Sequence, residues 1–243
     1  MQEIIDYFIV TPIALYLFIG IFSLCIGSFL NVVIYRTPKI LEQEWTEECQ
    51  AFLHPDEAFP EQEKISLSYP ASSCPHCHQH IRWYQNIPIL SWIFLKGQCA
   101  SCQCPISIRY PFIELITAIC SLAVVYVYGA TAQMLFGLIF TWILIVLTFI
   151  DFDTQLLPDR FTLPLAGLGL LVNAYHLYTS ATSAIFGYVI GFLCLWIVYY
   201  LFKIITQKEG MGYGDFKLLA ALGAWLGALM LPLIVLLSSL FGA

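Results

Sequence analysis

Charged residues are scarce in this chain: they make up 11% of its 243 residues, against about a quarter in soluble domains. Hydrophobic residues make up 60%. This composition excludes an ordinary soluble domain and predicts a protein embedded in a membrane. The ten lysines and arginines form no basic patch and the net charge is −6, which excludes nucleic acid as a partner.

The N-terminus also lacks basic residues. A cleaved signal peptide begins with a positively charged region, but "MQEIIDYF" carries Glu3 and Asp6 instead. We therefore expect the first apolar segment to remain in the protein as a membrane helix.

Long apolar runs divide the chain. Runs of roughly membrane-spanning length occupy residues 8–35, 111–128, 133–150, 160–178 and 183–205, and another extends from about 215 to the end. The stretch "LGAWLGALMLP" interrupts this last run, which predicts two segments there. The predicted fold class is an all-α polytopic membrane protein with about seven transmembrane helices.

The lysines and arginines predict the orientation, because these residues favour the cytoplasmic side of membrane helices. With the spans placed as above, all ten lie on one face, and the loops at 129–132 and 179–182 contain none. The N-terminus is then outside. We expect three parts: a first transmembrane helix (1–36), a cytoplasmic insert (37–110) and a transmembrane core (111–243).

Half of the sixteen acidic residues lie between Glu42 and Glu63, within the predicted insert. Such a stretch is typical of a solvated loop or helix face. It is also suited to attract a basic segment of a partner near the membrane.

The insert contains two C-x2-C pairs, Cys74 with Cys77 and Cys99 with Cys102. Two knuckles at this separation are typical of zinc ribbons, in which four thiolates hold Zn²⁺ tetrahedrally. Disulfides or a redox relay are the alternative, but a reducing cytoplasm disfavours permanent disulfides. Other residues able to replace a ligand are Cys104, His76, His78 and His80. A closed four-thiolate site has no position for substrate, so catalysis belongs elsewhere.

Carboxylates at the ends of membrane helices are costly and are therefore candidates for function. Asp151 ends the third predicted span and Asp215 begins the sixth, on the same face. Two carboxylates that meet there can share a proton, with one activating water and the other protonating a peptide carbonyl. The helix ends favour an ionised Asp215 as the base and a protonated Asp151 as the acid.

Other residues near the membrane edge have alternative roles. Asp159 follows a proline and precedes an apolar run, which predicts a helix N-cap. Gly210, Gly212 and Gly214 allow either a flexible turn or close approach of a substrate backbone. Glu114, near the start of the second span, is stabilised by the helix start or belongs to a second site that faces the insert.

Two other classes of function fit part of this pattern. A proton- or cation-coupled transporter also places carboxylates near its spans, although the internal repeats of many transporters are not apparent here. A membrane thiol oxidoreductase would use the C-x2-C pairs as redox centres.

Several motifs, in their order along the chain, resemble the type IV prepilin peptidases, also called prepilin leader peptidase/N-methyltransferases. They cover nearly the whole chain, and their joint order is highly specific. The motifs are "GSFLNVVIYRTP" (27–38), "SSCPHC" with "CASC", "NIPILSW" (86–92), "RYPFIE" (109–114), "IDFDTQLLPDRFTLP" (150–164) and "GMGYGDFKLLAALGAWLG" (210–227).

The resemblance implies a GxGD-type aspartic protease of the bacterial inner membrane, whose catalytic aspartates correspond to Asp151 and Asp215. Proteins of this family serve type IV pili and type II secretion, and they cleave the basic leader of prepilins and pseudopilins after a glycine. The expected partners are therefore these precursors and membrane lipid, and assembly into a homo-oligomer is left open.

The resemblance also implies a second activity. Many members of the family methylate the new N-terminal amine, usually of phenylalanine, with S-adenosylmethionine, and the cysteine-bearing insert is associated with bifunctional members. The chain has no glycine-rich nucleotide motif, so the candidates for binding the methyl donor come from the motifs alone: Gly97, Asn31, Arg36 and Glu114. Relatives usually continue through another glycine-rich turn and a final span, so the resemblance implies that a final span is missing from these 243 residues.

Overall fold

A computed structural model describes residues 11–54, 64–208 and 212–241. Within these ranges, helices account for the regular structure apart from two isolated β-bridges in the insert. Parts of the sequence predictions lie outside the described residues: the start of the first span, Gly210, and four acids of the acidic stretch, Asp56, Glu57, Glu61 and Glu63.

Long helices follow one another along the described chain and confirm the predicted all-helical membrane fold. Four of them, α1, α3, α4 and α6, are long and apolar enough to cross a membrane. Three more, α5, α7 and α8, fall on the remaining predicted apolar runs but are shorter. The helices are α1 (Pro12–Leu53), α2 (Leu90–Phe94), α3 (Arg109–Tyr128), α4 (Ala132–Thr154), α5 (Asp159–Ala174), α6 (Ala181–Thr206), α7 (Tyr213–Leu226) and α8 (Leu231–Phe241).

Helix α1 continues well past the predicted first span. It has 42 residues and passes through Pro38 without ending, so at 1.5 Å per residue it is about 63 Å long. The hydrocarbon core of a bilayer is only about 30 Å thick. The C-terminal part of α1 therefore extends beyond the membrane and carries the described half of the acidic stretch.

Side-chain caps explain where two of the spanning helices begin. The hydroxyl of Thr131 accepts a hydrogen bond from the Met134 N–H at the start of α4, and Ser180 accepts one from the Ser183 N–H at the start of α6. Such caps satisfy backbone donors that have no partner within the helix. Both helices end at a glutamine in the left-handed conformation, which closes the last turn.

The chain divides into two compact units, residues 1–130 and 131–243. In the first unit, α1 packs along α3. Gly27 lies against the α3 backbone at Glu114, where an added Cβ would come within 2.7 Å of the Glu114 Cα. A small residue at this point lets the two helices approach closely, as is common between membrane helices.

In the second unit, α7 packs against both α5 and α6. The buried Trp225 indole donates to the Leu165 carbonyl at 2.8 Å. The buried Asn173 amide donates to the carbonyls of Ala224 and Trp225, and its oxygen accepts two N–H groups from the loop after α5. A fully satisfied polar side chain of this kind fixes the end of α7 against the end of α5.

The contact between α6 and α7 depends on two glycines. Gly187 and Gly223 face each other, and a Cβ built on either one would overlap the backbone of the other. The two helices therefore meet backbone to backbone at this point, which positions α7 and the Asp215 that it carries.

We expect Gly223→Ala to destabilise the second unit by about 1–3 kcal/mol, the usual effect of overpacking a close contact. Gly167→Ala is the matched control, because a Cβ at Gly167 would meet no atom within 4 Å, and alanine is favoured over glycine inside a helix. Thermal unfolding of the purified protein in detergent measures both. Equal melting temperatures for the two variants would contradict a backbone contact at Gly223.

Candidate functional site

The two predicted catalytic aspartates both lie in the second unit, at helix ends. Asp151 is in the last turn of α4, where its carbonyl accepts the capping N–H of Gln155. Asp215 is in the first turn of α7, and its carboxyl group accepts a hydrogen bond from the Gly212 N–H. The N–H groups at a helix start favour a carboxylate in this position. These placements confirm the predicted helix ends.

The fold places the two carboxyl groups within electrostatic range of each other, although they are far apart in the sequence. The Asp151 carboxylate acts electrostatically on Asp215. Asp151 is exposed and Asp215 is half-buried, so one member of the pair faces solvent while the other is more enclosed. A pair of this kind can share one proton.

Two contacts join the segment after Asp151 to the segment that carries Asp215. Gly214 lies against Leu157, and a Cβ at Gly214 would come within 2.6 Å of the Leu157 Cβ. Lys217 Nζ lies 2.7 Å from both carboxylate oxygens of Asp159. The side chains of Lys217 and Asp159 are 30% and 54% exposed, so this ion pair contributes about 1 kcal/mol at most.

The prediction that Asp159 is a helix N-cap is wrong. The N-cap of α5 is Pro158, and Asp159 is the first residue of the helix. The side chain pairs with Lys217 instead. Pro158 at the cap fixes the direction in which the chain enters α5. The Asp159 side chain is then not needed as a cap and can pair with a cation on α7.

Tyrosines on α6 and α7 also hold the start of α7. The hydroxyl of the buried Tyr199 lies 3.3 Å from the Tyr213 hydroxyl and 3.3 Å from Lys203 Nζ. The ring of Phe216, which is fully buried, packs against both tyrosines. The first turn of α7 is therefore anchored on both sides of Asp215.

The four predicted metal ligands converge in the insert. The sulfur atoms of Cys74, Cys77, Cys99 and Cys102 all lie within 4.8 Å of one another. The distances from Cys74 to Cys102 and from Cys77 to Cys99 are 3.7 and 4.0 Å. Tetrahedral ligation at the usual Zn–S length would separate sulfurs by about 3.8 Å, so the cluster fits Zn²⁺. The prediction that these four residues form a cluster is confirmed.

The two knuckles share one backbone pattern. In the first, the Cys74 N–H donates to the Gln79 carbonyl and the Cys74 carbonyl accepts from His78; in the second, Cys99 makes the same two bonds with residues five and four positions later. Each knuckle also has a positive φ at its fifth residue, 56° at His78 and 57° at Gln103. The repeat explains how each cysteine pair presents its sulfurs to a common centre.

Backbone hydrogen bonds prepare the first thiol for ligation. The N–H groups of Cys77 and His76 donate to the Cys74 sulfur and lower its pKa to about 6. At Cys102 the Cys104 N–H lowers the pKa, but partial burial and the neighbouring sulfurs outweigh it and raise the pKa to about 12. Four sulfurs this close cannot all be charged unless a cation lies between them.

A cavity of about 770 Å³ lies in the first unit, between α1, the start of α3 and the insert. This volume is in the range of pockets that enclose small-molecule ligands. Three of the four candidates for methyl-donor binding, Asn31, Arg36 and Glu114, line it. Its wall also includes the aromatic residues Tyr35 and Trp92.

Arg36 and Gly97 have structural contacts of their own. The Arg36 guanidinium donates to the carbonyls of Ser66 and Pro70 at 2.8 and 2.6 Å and holds that loop against α1. Gly97 does not line the cavity. It has a φ of +67°, and a Cβ there would come within 2.9 Å of the Trp92 ring, so Gly97 supports a wall residue instead.

Sequence reasoning missed Ile89. Its φ and ψ are 58° and −49°, and the Leu90 N–H donates to the Pro88 carbonyl across it, which makes a γ-turn of the rare positive-φ form. A β-branched residue there is strained by about 1–3 kcal/mol. The Ile89 N–H donates to Glu114 Oε2 at 2.7 Å. The turn contains no glycine, so the sequence carries no signal of it.

Comparison with known proteins places both units in established families. Residues 21–128 match the bacterial peptidase A24 N-terminal domain, and residues 138–243 match the type IV leader peptidase family. No solved structure shows a significant match.

Similar curated proteins include three that carry the name prepilin leader peptidase/N-methyltransferase. The protein of Aeromonas hydrophila is 52% identical over 92% of this chain and 77% of its own length. The one from Dichelobacter nodosus is 49% identical over 96% of this chain and 82% of its own length. The one from Pseudomonas aeruginosa is 48% identical over 100% of this chain and 83% of its own length. The chain therefore belongs to the type IV leader peptidase family.

Proposed function

We propose that the chain is an aspartic endopeptidase of the bacterial inner membrane that removes the leader of type IV prepilins and pseudopilins after a glycine. We propose further that it N-methylates the new N-terminal residue with S-adenosylmethionine. Family membership and the names of the relatives support both activities. The observation that carries the peptidase is that the Asp151 carboxylate, on another helix, acts electrostatically on Asp215.

The paired carboxyl groups supply both halves of peptide hydrolysis. The ionised member takes a proton from a water molecule, whose oxygen attacks the carbonyl carbon of the scissile bond. The protonated member gives its proton to the carbonyl oxygen. When the C–N bond breaks, the amine nitrogen takes a proton from the member that had deprotonated the water. The other member takes the proton of a hydroxyl group of the tetrahedral intermediate as the new carboxyl group forms, so the pair returns to its starting state.

Two physical arguments oppose each other on which aspartate is ionised at rest. The start of α7 and the Gly212 N–H favour the charged form of Asp215. The enclosed position of Asp215 and the nearby Asp151 carboxylate favour the neutral form of Asp215. The assignment of Asp215 as base and Asp151 as acid stays a prediction, since a coupled pair titrates as a unit.

The substrate fits a site at the end of membrane helices. A prepilin has a basic leader followed by an apolar helix, so its cleavage site lies near the cytoplasmic membrane surface. The distribution of lysines and arginines supports an active site and an insert that face the cytoplasm. In this proposal lipid surrounds the spanning helices. Whether the chain assembles into a homo-oligomer is left open.

The acidic part of α1 is suited to attract the basic leader. Four acids, Glu42, Glu44, Glu47 and Glu48, lie on its C-terminal half, and three of them are exposed. Each exposed charge contributes about 1 kcal/mol at most and is weakened by salt. The acids would therefore raise the rate of encounter rather than perform chemistry.

The cavity of the first unit is the proposed site for the methyl donor. Its size suits a nucleoside-containing ligand, Tyr35 and Trp92 offer aromatic surfaces, and Arg36 and Lys39 are cations suited to a carboxylate. S-Adenosylmethionine would supply an activated methyl group there. Gly97 acts in this proposal only through Trp92.

We propose that the four clustered thiolates hold a structural Zn²⁺. The fit of the sulfur distances and the repeated knuckle geometry support this role. With four protein ligands the ion would have no position for substrate. It would instead fix the knuckles and, through them, the cavity walls that the knuckles supply.

Family membership favours the peptidase over the two other classes that fit the sequence. A transporter does not account for the match over residues 138–243 or for the names of the relatives. A thiol oxidoreductase does not require the sulfurs of two C-x2-C pairs to meet at one centre, as they do here.

Substituting either aspartate should abolish cleavage. We expect Asp151→Asn and Asp215→Asn to lower leader removal by about 10²- to 10⁴-fold, the usual effect of losing a general acid or base. Asp153→Asn is the matched control, since it neutralises another exposed acid at the end of α4. Mass spectrometry of a prepilin incubated with each variant measures the result. Full cleavage by either Asp151 or Asp215 variant would contradict the proposal.

The contact between Gly214 and Leu157 should control the distance between the aspartates. We expect Gly214→Ala to lower cleavage by about tenfold to a hundredfold, because a small displacement of a catalytic group has effects of this size. Adding Leu157→Gly removes the clashing Cβ and should restore part of the activity. If Gly214→Ala cleaves as fast as the unchanged protein, the contact does not position Asp215.

Metal analysis tests the zinc site. Under reducing conditions we expect about one zinc ion per chain, and a much lower content in Cys77→Ser. Cys104→Ser tests the alternative ligand next to the cluster and should keep the zinc, as should Cys120→Ser in α3. A zinc-free unchanged protein, or loss of zinc from Cys104→Ser alone, would contradict the four-cysteine assignment.

A further inference from the structure

Glu114 is a nearly buried carboxylate at the wall of the cavity. It is 7% exposed, and no lysine, arginine or histidine in the described part of the chain forms an ion pair with it. Its carboxyl group accepts hydrogen bonds from the Ile89 N–H and from Ser28. A carboxylate so enclosed and without a cationic partner is costly, and such groups in membrane proteins mark functional sites.

The protein holds this carboxylate with a strained turn. Ile89 has a positive φ that β-branched residues avoid, and its N–H points at Glu114 Oε2 from 2.7 Å. Ile89 also lines the cavity. Strain of this kind persists where the surrounding structure requires one arrangement, and it is typical of functional sites.

A second acceptor lies on the same wall. The amide nitrogen of Asn31 donates to the carbonyls of Gly27 and Tyr110 at 3.2 and 3.1 Å. Among the described residues no donor reaches its amide oxygen, Oδ1. Asn31 is 7% exposed and lines the cavity. The wall thus combines a carboxylate and a neutral oxygen, which suits an ammonium group with its three N–H donors.

We propose that Glu114 and Asn31 bind the N-terminal ammonium of the cleaved pilin, and that Glu114 takes its proton. This inference rests on the proposed methyltransferase function and assigns the acceptor side of that reaction. It makes Glu114 a catalytic residue of the methylation and gives it no part in cleavage.

The position of Glu114 favours the acceptor amine over the ammonium of the methyl donor. Glu114 lies within the first turns of α3, a helix long and apolar enough to cross the membrane. The amine to be methylated begins an apolar segment of the pilin, which enters from the membrane. The cations Arg36 and Lys39 line the same cavity and are suited to the carboxylate of the donor.

In this proposal, proton transfer to Glu114 precedes methyl transfer. One proton passes from the substrate ammonium to the Glu114 carboxylate, which leaves a lone pair on the nitrogen. The nitrogen uses that pair to form a bond to the methyl carbon, while the carbon–sulfur bond breaks and its electron pair stays on sulfur. The sulfonium becomes a neutral thioether, the methylated nitrogen carries the positive charge, and Glu114 releases its proton to water.

Binding measurements test the contact apart from activity. The probes are a leader-free pilin peptide that begins with phenylalanine and the same peptide with an acetylated N-terminus, each titrated into the full chain in the presence of S-adenosylhomocysteine. We expect the unchanged protein to bind the free-amine peptide about tenfold or more tightly than the acetylated one, from a charge-assisted hydrogen bond. Glu114→Gln should bind both peptides alike.

Three further readouts separate a lost contact from a damaged protein. Glu114→Gln should keep its zinc content, its leader cleavage and its affinity for S-adenosylhomocysteine, and it should lose methyl transfer by about 100-fold or more. Glu114→Asp keeps the charge and should keep part of the preference for the free amine. Asp153→Asn, which neutralises an exposed acid at the end of α4, is the matched control and should behave as the unchanged protein.

The possible results distinguish failure of the Glu114 inference from failure of the methyltransferase function. A Glu114→Gln variant that still prefers the free amine overturns this inference alone, as does one that loses affinity for S-adenosylhomocysteine while keeping its zinc and cleavage, since Glu114 would then hold the donor. An unchanged protein that binds no S-adenosylhomocysteine and transfers no methyl group overturns the methyltransferase function itself.

Discussion

The close contact between the segment after α4 and the start of α7 is the constraint on which the proposed peptidase site depends. Gly214 has no side chain, so Leu157 can lie directly against the backbone next to Asp215. The ion pair of Lys217 with Asp159 joins the same two segments. Because Asp151 precedes one segment and Asp215 lies in the other, this contact limits how far apart the two carboxyl groups can lie.

The first unit encloses a polar cavity beside apolar helices. Buried polar groups are stable only when their hydrogen bonds are satisfied. The insert supplies many of these bonds, since Arg36 holds a loop carbonyl against α1 and the Ile89 N–H reaches Glu114. In the proposed function, a Zn²⁺ ion held by the cysteine cluster would fix the insert that provides them. In the proposed function, two reactions can share one chain because each would have its own unit and its own polar residues.

The sequence was sufficient for features that depend on near neighbours. The apolar runs predicted the helices. The C-x2-C spacings predicted that Cys74 with Cys77, and Cys99 with Cys102, would each form a pair of neighbouring sulfurs. The sequence predicted the wrong role, or no role, for residues whose contact partner lies far away in the sequence. Asp159 pairs with a lysine on another helix instead of capping its own, and nothing in the sequence indicates that Ile89 adopts a positive φ to donate to Glu114. Such contacts depend on packing between elements, which periodicity does not describe.

We propose that Asp151 and Asp215 act as one coupled acid–base unit. An infrared titration of the protonated carboxyl groups, compared between the unchanged protein and the two single Asp→Asn variants, tests this most directly. We expect that replacing either aspartate changes the titration midpoint of the other, because a coupled pair shares a proton. If each remaining aspartate titrates as it does in the unchanged protein, the two carboxyl groups do not form a unit.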